Sequence, residues 1–343
     1  MNANATQTTK SLTRRSLLEA GCTVAGTGLT IDALFPTTLS AEDKADPSIG
    51  RRELILGLDG MSRVVEQRRH FGGGHNAAAV MASAFFCREQ KIGEGAPDEI
   101  FSFVQKTLLT SSIYKPRPKE MAAPELVDGL VKDLDAGIVN LRRGGHNIIF
   151  ATLCLKALKD VPEAATPQRI DGLRKMVAAF GKSNGRERPT VNDGTLVDMQ
   201  DKTKFVAFIF KEYLNALDLY LNGKGHHGFA GHILTAGHAL LELSRLGHPE
   251  IARKGTSAYW QLVQQARAGA DRGGRRVKDG PPKSPTPLDQ DYWSGKTSRR
   301  PREVVSSHLI KYPYSFYALA KDLRDEELKR RIFEQLFHLS AIT

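Results

Sequence analysis

Four times along the 343-residue chain, small residues lead into a histidine that heads an apolar run: GGGHNAAAVMASAFF, RGGHNIIFATLCLKAL, FAGHILTAGHALLEL and VSSHLIKYPYSFYAL. The histidines are His75, His146, His232 and His308, spaced by 71, 86 and 76 residues. Each run is long enough for a helix and too evenly apolar to leave one side in water, so no unit can bury its helix alone. Degenerate repetition of this kind predicts units of about three helices packed side by side as an α/α toroid or closed solenoid, with the His-headed helices as the inner layer. Closure then brings the Ala-rich helix after His75 near the terminal DEELKRRIFEQLFHL segment, whose Ile332, Leu336 and Leu339 would otherwise stay wet.

The rest of the sequence agrees on an all-α chain. In PELVDGLVKDLDAGIVNL, Leu126, Leu130, Leu134, Ile138 and Leu141 recur at helical spacing behind Pro124, a residue suited to a first helical turn. The same pattern predicts helices over 52–68, 75–89, 97–110, 124–141, 146–158, 167–180, 202–222, 231–245, 249–267, 303–321 and 325–338, while alternating strand patterns are nearly absent. With 41% hydrophobic and 25% charged residues, the chain has the composition of a globular protein.

Residues 1–41 read as a signal peptide and 42–343 as a single all-α repeat domain. The start holds Thr13-Arg14-Arg15-Ser16-Leu17-Leu18, then a weakly apolar stretch rich in Gly, Ala and Thr, and Leu39 and Ala41 ahead of an acidic start. That order resembles a twin-arginine export signal, which implies the twin-arginine export machinery as a partner and a location in the periplasm or cell envelope. Cys22 sits in no lipoprotein box, because Glu19 stands where Leu is expected. No later stretch reaches the roughly 18 apolar residues that mark a transmembrane helix.

The formal charge of +11 admits an anionic partner or a scattered basic surface. Three cysteines provide neither a disulfide framework nor a Cys-based metal site. The longest irregular segment, a basic Pro/Gly-rich loop at 269–302, carries Tyr292 and Trp293 in its middle; both would be costly to leave wet, and they are candidates for substrate binding in a lid over a cavity mouth. A second, shorter loop lies at 182–200. The loop lacks an aromatic platform for nucleic acid.

The histidines carry the chemistry. Small residues ahead of each allow a tight turn, which would set the imidazole in a first helical turn whose positive dipole end favours the neutral ring. Neutral imidazole accepts a proton or donates one hydrogen bond, so His75, His146, His232 and His308 are candidate catalytic groups if they converge, and caps of their own helices if they do not. Asn76, His227 and His238 are candidates for binding substrate beside them. No metal site is expected: His232 and His238 are six apart, and His238 with Glu242 shares a face without a Glu-x-x-His or His-Glu-x-x-His motif. A dinucleotide fingerprint, a Walker loop and a G-x-S-x-G elbow are all missing.

Three of these stretches resemble the questin oxidase-like family: GGGHNAAAVMASAF, GFAGHILTAGHALLEL followed by SAYW, and HLIKYPYSF, in the family's order. The resemblance implies a Baeyer–Villiger-type monooxygenase acting on quinone-like aromatic compounds with NADPH and oxygen, while the residues themselves name no cofactor. The early pair here is His-Asn where the family has Asn-His, and Pro313 follows Lys311-Tyr312. On this reading one of His75, His146 or His232 holds or deprotonates a phenolic oxygen, and Lys311 or a helix N-terminus stabilises an oxyanion. A weaker likeness, carried by His227-Gly228-Phe229-Ala230-Gly231, is to lanthionine-cyclase-type toroids, whose zinc chemistry needs a cysteine; none occurs after Cys154. The expected protein is therefore an exported oxidoreductase-like protein with an aromatic or quinone-like small molecule as its substrate. Its rival is a non-enzymatic periplasmic or envelope helical-repeat scaffold.

Overall fold

The computed structural model describes residues 46, 48–66, 70–181, 198–269, 285–294, 303–336 and 338, all within a compact unit spanning 44–343. The expected signal segment and most of both expected loops lie outside the described residues. These fold into α-helices joined by short 3-10 turns, with no strand among them. In chain order the helices are α1 (Arg51–Arg63), α2 (His70–Glu89), α3 (Ala96–Thr107), α4 (Val127–Gly137), α5 (His146–Asp160), α6 (Pro167–Gly181), α7 (Lys202–Leu221), α8 (His227–Arg245), α9 (Pro249–Ala268), α10 (Gln290–Ser294), α11 (Glu303–Ala320) and α12 (Glu326–Glu334).

Every third helix carries one of the four repeated histidines. Those four pack in a cycle: α2 on α5, α5 on α8, α8 on α11, and α11 back on α2. Their burial matches the evenly apolar sequences; the described side chains of α5 from His146 to Leu155 are all buried, as are those from Ala77 to Phe86 in α2. Amphipathic helices cover them. α1 lies on α2 and α6, and α7 and α9 flank α8. α9 begins with Pro249 at its first position and buries Ala252, Gly255, Tyr259 and Val263 along one side. α7 and α12 start at Asp201 and Asp325, whose carboxylates accept from the Lys204 and Leu328 backbone N–H groups at 3.0 Å each. A buried pair, Arg169 Nη2 to Asp59 Oδ1 at 2.8 Å, ties α6 to α1. The closing contact differs from expectation. α12 packs against α7 and sets Phe333 against Phe316 of α11, with ring centroids 5.2 Å apart, and it is α11 that meets α2.

The glycines ahead of the histidines turn out to do two different things. Before His146 they make a turn: Gly144 and Gly145 have φ of +70° and +90°, the left-handed region that favours glycine. Before His75 and His232 they are helical, because α2 starts at His70 and α8 at His227, four to five residues earlier than the sequence pattern predicts. A helical glycine costs about 1 kcal/mol against alanine, and close packing is what requires it here. A Cβ on Gly74 would stand 2.6 Å from the Phe150 ring, and one on Gly231 would collide with the ring of Tyr312. The rule is the same at three of the four steps round the cycle: the residue before one histidine packs on the residue four after the next. Gly74 meets Phe150, Gly145 meets Ala236, and Gly231 meets Tyr312.

Gly231→Ala is therefore expected to lower stability by about 1–3 kcal/mol, the usual cost of overpacking a dense core. Trimming the obstructing ring in Gly231→Ala/Tyr312→Ala should return part of the relief expected at that contact, leaving a double variant more stable than the sum of the two single losses. Strict additivity in chemical denaturation would show that the two residues do not press on one another.

Candidate functional site

The cycle of helices brings the four histidines to one level. Ring centroids are 4.3 Å apart for His75 and His146, 4.5 Å for His146 and His232, 5.9 Å for His232 and His308, and 5.0 Å for His308 and His75. His75, His146 and His308 are buried. The rings pack against one another, with Phe150 edge-on to His75 and His146 and Tyr312 stacked on His308 at 4.4 Å.

Only His146 stands in a first helical turn; His75, His232 and His308 are each the sixth residue of their helices. The dipole at a helix N-terminus falls off within one turn, so it is not what tunes His75. Burial pushes His75 well below the usual imidazole range, helped by Lys311 and the neighbouring rings. Burial does the same to His146, helped by His232 and Lys311, while the Arg143 carbonyl beside its Nδ1 works the other way.

Lys311 joins this level from α11. Its Nζ lies 2.8 Å from His75 Nδ1 and 5.7 Å from the centre of the Phe150 ring. The side chain is buried, and burial pushes its amine well below the ordinary lysine value. Burial disfavours the ammonium form, which gives Lys311 the setting of a base or nucleophile beside the oxyanion partner expected from sequence.

Below the histidine level a pocket opens between the same four helices, with about 360 Å³ of free space including its open end. Counting from each histidine, every lining residue falls at the third, sixth, seventh or tenth position onward, the inward side of a helix. Ile149, Thr235 and Lys311 come first; Thr152, His238 and Tyr314 follow, with Ala82, Leu153, Ala239 and Ser315 beside them; Lys156 and Glu242 lie farthest from the histidines. Ten residues of helix rise about 15 Å, so the pocket separates the histidines from a second polar level.

That second level is an ion cluster. Lys156 Nζ lies 2.7 Å from Glu89 Oε1 and 2.5 Å from Glu242 Oε2, and donates to the Tyr314 hydroxyl at 2.9 Å. Tyr314 in turn donates to Glu89 at 3.2 Å. His238 shares a hydrogen bond of 3.1 Å with the Ser315 hydroxyl and sets Nε2 3.8 Å from Glu242. Burial holds His238 down at about 3, against the pull of Glu242. Burial would push Glu242 up, but the surrounding groups outweigh it: beside His238, the Lys156 ammonium and Arg245 guanidinium hold the carboxyl down at about 2. Burial raises Glu89.

Of the residues singled out from sequence, the structure thus gathers His75, His146, His232, His308 and Lys311 at one level and places His238 in the pocket wall. Asn76 is buried beside His75. His227 opens α8, and its side chain lies outside the described set. Tyr292 and Trp293 are not at the pocket. Trp293 is buried on the outer layer, its indole N–H donating to the Pro287 carbonyl at 2.9 Å and its ring 5.7 Å from Phe103 of α3, so the described part of that loop docks on α3 and not over a mouth. Sequence reading missed Lys156, Glu89, Tyr314, Thr152, Thr235 and Ser315. The one signal for them was Lys156, a charge placed where α5 is otherwise apolar all round.

Among the described residues, no group of three or more His, Cys, Asp or Glu side chains is placed to hold a metal ion, and no helix is long and apolar enough to cross a membrane. Cys87 and Cys154 are buried free thiols. Comparison of the chain with protein-family models, with curated proteins and with solved structures finds no match.

Proposed function

We propose that this chain is an exported, oxidoreductase-like protein of the periplasm or envelope, folded as a four-unit α/α toroid, that binds and acts on a small aromatic or quinone-like molecule in the pocket on its axis. The cyclic packing of α2, α5, α8 and α11 supports the toroid. The observation that carries the function is the buried Lys311–His75 pair at the inner end of an otherwise largely apolar pocket, with the hydroxyls of Thr152, Thr235 and Ser315 nearby. An apolar chamber with a few convergent polar groups suits a flat uncharged ring bearing hydroxyl or carbonyl oxygens. The pocket cation, Lys156, is already matched by two carboxylates, so the chamber favours a neutral ligand over an anion.

NADPH does not fit this pocket. A dinucleotide needs partners for its pyrophosphate, whereas Lys156 is committed to Glu89 and Glu242, and no strand–glycine–helix turn exists among the described residues. The chain's own groups supply binding and proton transfer: a phenolic O–H faces a neutral amine that accepts its proton, giving phenolate and ammonium side by side.

The test uses 4-nitrophenol, whose phenolate is yellow. Titration of the protein should give a saturable rise in phenolate absorbance. Ala239→Leu, which fills the pocket from its wall, should weaken binding at least about tenfold with the melting temperature kept. No saturable change with the unaltered protein, or equal binding by the filled variant, overturns the reading.

A further inference from the structure

We propose that Lys311 is a nucleophile that captures a small uncharged carbonyl compound as a Schiff base in the axial pocket, with His75 as its proton acceptor. The inference deepens the pocket reading above by naming a carbonyl as the reacting group, and it rests on that pocket being a ligand site.

Three placements carry it. Lys311 lines the pocket and is buried at its inner end, the setting in which a lysine amine loses its proton and becomes nucleophilic. His75 Nδ1 stands 2.8 Å from Nζ. With the amine N–H donating into that nitrogen, the lone pair of Nζ is left for attack. Independently, Thr152 is buried in the pocket wall with its hydroxyl oxygen in no hydrogen bond among the described residues, an expensive state for a polar atom in a dry place. A carbonyl oxygen in the pocket would give that hydroxyl an acceptor, and the hydroxyl would polarise the carbon toward Nζ.

The chemistry balances without an oxidant or reductant. Nζ attacks the carbonyl carbon, a C–N bond forms, and the π pair moves to oxygen, which the Thr152 hydroxyl faces. Nitrogen sheds two protons in turn, each passing through His75 to the oxygen: the first makes the hydroxyl of a carbinolamine, and the second lets that hydroxyl leave as water when the C=N bond forms. One carbonyl compound and one amine give one imine and one water. The ring of Phe150, 5.7 Å from Nζ, gives an aromatic carbonyl compound an apolar surface to lie against.

The experiment treats the full chain at pH 7 with benzaldehyde and cyanoborohydride, which fixes an imine as a stable secondary amine, and locates the added mass by peptide sequencing. Lys311 should be labelled saturably, and at least about tenfold faster than Lys175 and Lys204, which lie exposed on the surface. Thr152→Val should slow labelling of Lys311 about tenfold while leaving surface lysines and the melting temperature unchanged. Labelling of Lys175 and Lys204 with Lys311 unmarked overturns the proposal, as does a Thr152→Val variant labelled at the original rate. The 4-nitrophenol titration separates the two readings. If 4-nitrophenol binds and Lys311 is unlabelled, the Schiff base fails and the pocket reading stands. If Lys311 is labelled and 4-nitrophenol neither binds nor protects it, the aromatic phenol reading fails and the nucleophile stands.

Discussion

Lowering the pH from 7.5 to 5.5 is expected to lower stability by a few kcal/mol, a large share of what many domains possess. The sign follows from groups whose folded values lie below their ordinary ones. His75 and His146 are held well down by burial and neighbouring cations, and His238 is held at about 3. An unfolded chain protonates all three below about pH 6.5. The folded protein does not follow, so each proton taken up favours unfolding, and the stability present above pH 6.5 is lost as the pH falls toward the folded values. His238 alone contributes about 1 kcal/mol across those two units, and His75 and His146 add to it in the same direction. Lys311, pushed down by burial, has the same sign from its ordinary value downward. Glu89 works the other way, since burial raises its carboxyl and the folded state takes its proton first. Denaturant midpoints at pH 5.5, 6.5 and 7.5 measure the sum. A flat profile would mean that the imidazoles protonate freely inside the fold. Lys311→Met removes the lysine share, so it should raise stability, and by more at pH 5.5 than at 7.5.

The same residues show what a sequence carries and what it withholds. The all-α class and the four inner helices are legible because α2, α5, α8 and α11 are apolar on nearly every side, a pattern that no single unit can bury. Where two of those helices start is not legible. Gly72, Gly73 and Gly74 look like a turn, yet they are helical, and at Gly74 it is Phe150, far along the chain, that needs the space. A glycine kept for a close approach and one kept for a left-handed turn read alike until the neighbour is known. The histidine level was foreseeable as a possibility, since a repeated residue at equivalent positions of equivalent helices must recur at one level if the units close. The pocket was not. Its other polar atoms arrive singly, Thr152 from α5, Thr235 from α8 and Ser315 from α11, each an unremarked polar residue in an apolar helix. Only the convergence of all four helices makes them a set. Tyr292 and Trp293 were misplaced for the converse reason: aromatic residues in an irregular segment must dock, but sequence does not say on which side, and α3 offered Phe103.

Lys156→Met is expected to cost about 3–5 kcal/mol at pH 7.5, the loss typical of removing one partner from a buried ion pair. The ammonium sits between two carboxylates, 2.7 Å from Glu89 and 2.5 Å from Glu242, and 4.7 Å over the ring of Phe85. Methionine keeps most of the apolar contact with that ring but leaves Glu242 with Arg245 and His238 beside it on the same helix and Glu89 facing a like charge. Both carboxyls then move upward, and the folded variant takes protons that the original protein does not. Its stability deficit should therefore shrink as the pH falls, opposite in direction to the loss expected of the chain as a whole. Glu89→Gln in the Lys156→Met background should recover part of the loss, because it removes one of the stranded charges while a side-chain amide still reaches the Tyr314 hydroxyl. Denaturant midpoints of the four chains in this cycle, taken at pH 5.5 and 7.5, decide the matter. A deficit that is equal at both pH values, or a double variant no more stable than Lys156→Met, would mean that Lys156 acts by packing alone and that the second polar level is not held together by charge.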